Sequence, residues 1–316
     1  MPYVLFVLMC MIWGTSFLLM RWASGVFNAP AINTGRMLGG SAVLFLIWFV
    51  LRAHAKGAKR WTLSRGDLPA LAIVVIVGFV LPWTLQPFLI GRYQQSGFFG
   101  MMVSLVPLLT MVVSVPMLGL KPTLRQSAGV LLGLVMVVVL FGDAVSTRGV
   151  PAWAMALAVV VPCCYAVSNT WVKQRFQGAD MLALSASAMA LGLVFVLPFA
   201  RVNEVPANDV PMGKAVASLA FLGVVCSGLA MWMFYKMVQL KGPLFAGMVT
   251  YVVPGIAVLL GWAIEGEVVT TGQLIALGGI LLSVALVQWP KKQHPGLAAS
   301  AARIPTDPLA PTHPPE

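Results

Sequence analysis

The stretch Pro254–Val287, PGIAVLLGWAIEGEVVTTGQLIALGGILLSVALV, decides how the rest of the chain is read. It holds two apolar runs separated by a short acidic turn, Glu265-Gly266-Glu267. Moved back by 147 positions without a gap, it lies on Pro107–Leu140. Pro254 then falls on Pro107, Gly266 on Gly119, Thr270 on Thr123 and Gln273 on Gln126. Just upstream, Gly247 falls on Gly100 and Met248 on Met101. Apolar composition alone does not align a turn glycine, an in-helix proline and a helix-start glutamine at one offset, so the stretch is an internal repeat. One position breaks the match, where Glu267 meets Leu120.

Working outward, the whole chain shares this apolar character. Of its 316 residues 59% are hydrophobic and 9% charged, with a mean hydropathy of +0.92. A soluble domain carries roughly 25% charged residues. Lipid is therefore the main solvent. Ten runs are long enough to span it: Tyr3–Met20, Thr34–Leu51, Leu68–Ile90, Gly97–Leu118, Ser127–Phe141, Pro151–Val172, Met181–Ala200, Ala215–Val238, Leu244–Ile264 and Gly272–Trp289. They are continuously apolar rather than alternating, which indicates helices and not barrel strands. The first run lacks a basic leader and a small-residue cleavage site, so it reads as a span and not a signal peptide. The Pro- and Ala-rich tail 290–316 is expected to be a disordered cytoplasmic segment.

The net charge of +11 does not point to nucleic acid, because the basic residues lie between apolar runs rather than on one face. With the N-terminus inside, fourteen Lys and Arg fall on inner segments and six on outer ones. The positive-inside rule then puts both termini in the cytoplasm. Each copy of the repeat holds five spans, an odd number, so the second copy enters the membrane upside down. The expected fold is an all-α integral membrane protein of ten helices: a first five-helix repeat over 1–142 and an inverted second repeat over 143–289. Inverted repeats are a recurrent transporter plan, with the substrate held near the midplane between them.

Several local motifs carry a family resemblance. They are Ile12-Trp13-Gly14-Thr15-Ser16-Phe17, Arg36 near the start of the second span, and Gly91-Arg92-Tyr93 ending the third. Pro254, Gly266-Glu267, Gln273 and Gly278-Gly279 complete the pattern. In order and duplication these resemble the drug/metabolite transporter superfamily, in its EamA-type ten-helix branch, over about residues 3–289. The resemblance implies a multi-pass carrier of the inner (plasma) membrane, often exporting amino acids or other small metabolites. It also implies a central cavity lined by the first, third, fourth, sixth, eighth and ninth helices. The first repeat departs from the pattern, with Leu120-Lys121 where the family often has an acid.

Polar and aromatic residues inside those helices are the candidates for the cavity, since burying them costs free energy. They are Trp13 and Ser16, Trp83 and Gln86, Tyr165 and Asn169, Trp232 and Tyr235, and Thr250 and Tyr251. Each has a blander alternative: hydroxyls bond their own helix, and aromatic rings sit at the interface. Pro107 and Pro254 occupy equivalent places and are candidate hinges, because proline removes a backbone donor. Arg36, Arg92 and Lys236 lie near span ends, where snorkelling is the favoured reading. Gly266 and Glu267 are read as a structural turn, with Glu267 capping the start of the tenth helix.

No Asp, Glu or His lies deep in a span, which argues against lipophilic-cation exchange and favours neutral, zwitterionic or anionic substrates. The four cysteines show no metal or redox spacing. No phosphate loop is present, and no cofactor or metal is expected. The partners are a small-molecule substrate and the lipid bilayer; a monomer suffices to enclose a cavity, and a homodimer stays open. An uptake permease, a flippase for lipid-linked substrates and a membrane-embedded enzyme remain as alternatives.

Overall fold

The computed structural model describes residues 2–54, 65–119, 121–203 and 210–288. The tail 290–316, Leu120 and most of the basic loop between the second and third spans lie outside the described residues. Among the described residues ten helices are long and apolar enough to cross a membrane: α1 Pro2–Ser24, α2 Ala29–Ala53, α3 Leu68–Tyr93, α4 Ser96–Leu118, α5 Leu124–Ser146, α6 Ala152–Arg175, α7 Met181–Phe199, α8 Met212–Lys241, α9 Phe245–Glu265 and α10 Thr271–Gln288. They fall on the ten expected runs. Lipid offers no hydrogen bonds to the backbone, so each apolar run satisfies its own amides by coiling.

Local signals set the ends. Thr123 and Gln126 form a reciprocal capping box at the start of α5. Asp180 accepts the backbone N–H groups of Leu182 and Ala183 at the start of α7. At the equivalent ends of α4 and α9, Gly119 and Gly266 adopt left-handed backbone with φ of 64° and 65°. A side chain there would be strained, which explains why glycine stands at both places.

Among the main helix pairs are α5 with α10, α2 with α8, α2 with α7, α1 with α9 and α4 with α6. Exchanging each helix for the one five places away maps this set onto itself, apart from α2–α8, which maps onto the α3–α7 contact. The direction of three of these pairs is fixed by named contacts. Gln126 Nε2 donates to the Val287 carbonyl at 3.3 Å, whereas Thr270 Oγ1 donates to Asp143 Oδ2 at 2.7 Å, so α5 and α10 are antiparallel. Trp48 donates to Asp180 while Met37 packs at Gly192, so α2 and α7 are antiparallel too. Tyr3 meets Phe245 edge-on and Arg21 pairs with Glu265 and Glu267, so α1 and α9 are parallel.

Several of the long helices are interrupted. Val74–Val80 of α3 and Leu222–Leu229 of α8 wind as π-helix, in equivalent places of the two copies. In α3 the cause is visible: Pro82 follows, has no N–H, and restarts the α-helix from Leu81. In α4 a 3₁₀ turn, Met102–Leu105, precedes Pro107, and the helix resumes at Val106. Its counterpart differs, since Pro254 lies inside the unbroken helix Val249–Glu265.

Glycine lets α2 and α8 touch. A Cβ on Gly39 would stand 2.8 Å from the Gly223 carbonyl carbon, and one on Gly223 would stand 2.5 Å from the Gly35 oxygen. Small residues at such crossings allow the backbone-to-backbone approach on which helix association in lipid depends.

Candidate functional site

The α2–α8 crossing brings a cation inward. Arg36 is the eighth residue of α2, about 10 Å from its start at 1.5 Å per residue. It does not snorkel, as its position near a span end suggests; the residue is only 7% exposed. The tight glycine contact beside it sends the side chain across the bundle. Its guanidinium lies 4.0 Å from the centre of the Trp83 ring. Nε donates to Ser227 Oγ at 3.3 Å, in the π-helical part of α8, and Nη1 faces Met20 Sδ at 3.7 Å. Tyr165 packs in the same core cluster as Trp83, and Tyr165 and Cys226 are near enough to Arg36 to act on it electrostatically.

Among the described residues no carboxylate pairs with Arg36. Asp67 lies at the start of α3, Asp143 is bound to Thr270, Asp180 to Trp48 and the α7 amides, and Glu265 and Glu267 to Arg21. A cation deep in a membrane costs about 2.5–3.5 kcal/mol on insertion scales. Stacking on a desolvated Trp returns about 2 kcal/mol. The arrangement is therefore tolerable when empty, and it retains donors for a ligand.

The π-helical segments beside Arg36 are held by side chains that take up their loosened carbonyls. Asn33, fully buried on α2, donates Nδ2 to the Val80 carbonyl at 3.1 Å and to Thr84 Oγ1 at 2.9 Å. Trp13 Nε1 donates to the Cys226 carbonyl at 3.2 Å, and the Cys226 thiol faces the Ile12 carbonyl. Trp13 also stacks on Phe234.

The other sequence candidates divide. Trp83 and Tyr165 converge on Arg36, and Gln86 is buried one turn beyond Trp83 on the same face of α3. Trp232 packs against both apolar cores of the molecule. Tyr235 shares a hydrogen bond with Ser185 of α7. Ser16 and Thr250 bond carbonyls of their own helices, those of Trp13 and Gly247. Tyr251 donates to Gln288 at the end of α10, and Asn169 is exposed on α6. The cysteines are free, with Cys10, Cys164 and Cys226 buried.

A second polar cluster closes the end of the bundle away from the termini. Glu267 does not cap α10, where Thr270 accepts from the Gln273 amide instead. It caps α4. Its Oε1 accepts from the Ser96 amide and hydroxyl, both at 2.6 Å, and its Oε2 accepts from the Gly97 amide at 2.9 Å. Arg21 bridges Glu267 at 2.9 Å and Glu265 at 3.1 Å, and Trp22 donates to Glu265 at 2.7 Å. The positive end of the α4 dipole and Arg21 together stabilise the buried carboxylate. In this geometry the acid holds the start of a helix 170 residues away in sequence. Arg21 and Ser96, which sequence reading did not single out for this end, complete the cluster; the only signal was the scarcity of charge around them.

A ten-helix membrane bundle with a buried polar and aromatic centre is the architecture of a multi-pass carrier. The EamA-like transporter family model matches residues 1–142 and again 152–289, and the chain belongs to that family. It is 25% identical over 287 residues to the uncharacterized inner membrane transporter YedA of Escherichia coli K12, covering 90% of this chain and 89% of that one. It is 24% identical to the uncharacterized transporter YoaV of Bacillus subtilis, covering 86% of this chain and 90% of that one. It is also 27% identical to an S-adenosylmethionine/S-adenosylhomocysteine transporter of Chlamydia trachomatis, covering 91% of this chain and 89% of that one. A solved structure described only as a protein crystal structure shares the fold, with a TM-score of 0.56 at 16% identity, covering 89% of this chain and 98% of that one. The protein is a membrane transporter, and it is a multi-pass protein of the inner membrane.

Proposed function

We propose that the chain is a secondary carrier that exports amino acids or related neutral and zwitterionic metabolites by alternating access around a central cavity. In this reading residues 1–142 and 143–289 are two five-helix halves of opposite orientation, with both termini in the cytoplasm. The exchange symmetry of the helix pairs and the antiparallel α2–α7 and α5–α10 contacts support it. The observation that carries it is the cluster of Arg36, Trp83 and Ser227, all buried, with partly buried Tyr165 beside them. Both halves contribute to that cluster, and no described acid neutralises it. A solute held there would touch both halves, so a rocking of one against the other would change its side of access. The S-adenosylmethionine/S-adenosylhomocysteine relative handles solutes with an amino-acid end, which is the part such a cluster would meet.

Labelled amino acids offered to everted and right-side-out vesicles test the reading. Saturable, competed uptake into everted vesicles is expected. Uptake confined to right-side-out vesicles would reverse the direction. Uptake equal to that of vesicles lacking the protein would reject the carrier.

A further inference from the structure

We infer that Arg36 is the anchor for a carboxylate, and that the ligand class is an organic monocarboxylate with an apolar or aromatic body, whether or not it bears an amine. The inference deepens the carrier reading and rests on it for the site's use, though not for its binding chemistry.

Guanidinium offers five N–H donors in a planar fork that matches a carboxylate. Ser227 and the Met20 sulfur engage Nε and Nη1, so among the described residues three N–H groups are left over. A buried cation without a counter-charge gains most from an anion that brings its own, because water does not screen the attraction there. Trp83 covers one face of the fork and fixes its plane. Tyr165 adds a ring and a hydroxyl, while Gln86 presents an amide one turn along α3 from Trp83. A ligand body beyond the carboxylate therefore meets the rings of Trp83 and Tyr165.

No described acid faces this cluster from α1, α2, α3, α6 or α8, and all five acids of the described residues lie at helix ends or turns. An ammonium on the ligand gains no ion pair. The amine is then dispensable, a cationic ligand is repelled, and the carboxylate is the one group that selects.

The test uses the full chain in detergent and the reaction of phenylglyoxal with arginine, followed by mass spectrometry of the peptide holding Arg36. Exposed Arg201 is the internal control. The probes are 3-phenylpropionate, L-phenylalanine, the neutral 3-phenylpropanamide and phenethylammonium. Both carboxylates should slow modification of Arg36 at least about tenfold at saturation and leave Arg201 unchanged, while the amide and the amine should not protect. Equal protection by the amide, equal protection of Arg201, or no protection by the carboxylates would overturn the inference. So would an Arg36 that fails to react without any probe, since that would mark a sealed, structural cation. Arg36→Gln, checked for monodisperse elution, should lose the thermal stabilisation that 3-phenylpropionate gives, and Arg36→Lys should keep part of it. Protection by carboxylates in a protein that moves none across vesicles would keep the anchor and reject the carrier.

Discussion

Arg21 and Glu267 show how few charges organise this molecule. The Glu267 carboxylate accepts two backbone amides and a serine hydroxyl while pairing with Arg21, and the residue is 7% exposed. Removing one member of a buried pair strands the other, at a cost of about 3–5 kcal/mol. Glu267→Ala should therefore lower the thermal unfolding temperature in detergent far more than Glu265→Ala, whose carboxylate lies nearer solvent. Gly261 reports on the same site from a neutral position. A Cβ there would stand 2.7 Å from Glu267 Oε2, so Gly261→Ala should displace the carboxylate and mimic a partial loss of the pair. Equal unfolding temperatures for Glu267→Ala and the parent would contradict this role. Arg36 belongs to the same scale and to the opposite case. It is a buried charge with a ring and a hydroxyl but no acid among the described residues, so a substitution there should change what binds more than how firmly the chain folds.

At the scale of elements, the weight falls on α2, α3 and α8. The α2–α8 crossing is backbone against backbone, and no flexible side chain can yield there. Gly39→Ala should cost about 1–3 kcal/mol by overpacking. It should reduce the yield of monodisperse protein, while Gly213→Ala, which would meet nothing within 4 Å, should not. The π-helical segments are held by Trp13 and Asn33, so Trp13→Phe keeps the stack on Phe234 but removes the hydrogen bond to the Cys226 carbonyl. That variant should fold and insert normally yet transport more slowly, as measured by flux per reconstituted molecule. Pro254 poses a different question, because its helix is continuous. If it is a hinge, Pro254→Leu reduces flux more than membrane insertion, and equal loss of both in a fluorescence-tagged expression assay would remove it from the mechanism.

At the scale of the molecule, the ten spans were legible because lipid imposes one rule on every segment, a long apolar run. The duplicated turn was legible too, through rare residues such as Gly266 and Gln273 at a fixed offset. The centre was less so. Nothing in LGVVCSGL distinguishes a π-helix from an α-helix, and Pro82 hints at only one of the two. Arg36 near a span end fits snorkelling equally well, until the Gly39–Gly223 contact shows which way α2 faces. Glu267 was visible as an acid, but its partners Ser96 and Arg21 are 171 and 246 residues away, and spacing cannot pair them. Asn169 stood out as a mid-helix amide, yet it lies on an exposed face of α6. Side-chain direction across a bundle is a property of packing, and a single sequence encodes it only through contacts it does not display.

The central claim is that the solute passes through the cluster around Arg36, between two halves of opposite orientation. Counterflow in proteoliposomes tests it most directly: a radiolabelled amino-acid mixture is presented outside while the same mixture, unlabelled, is trapped inside. A hydrogen-bonded contact to a charged group contributes about 1.5–3 kcal/mol, or roughly tenfold and more in binding. Trans-stimulated uptake by the parent chain is expected, reduced at least about tenfold in Arg36→Gln at equal reconstitution; equal counterflow by the parent and Arg36→Gln would remove the Arg36 cluster from the solute's path.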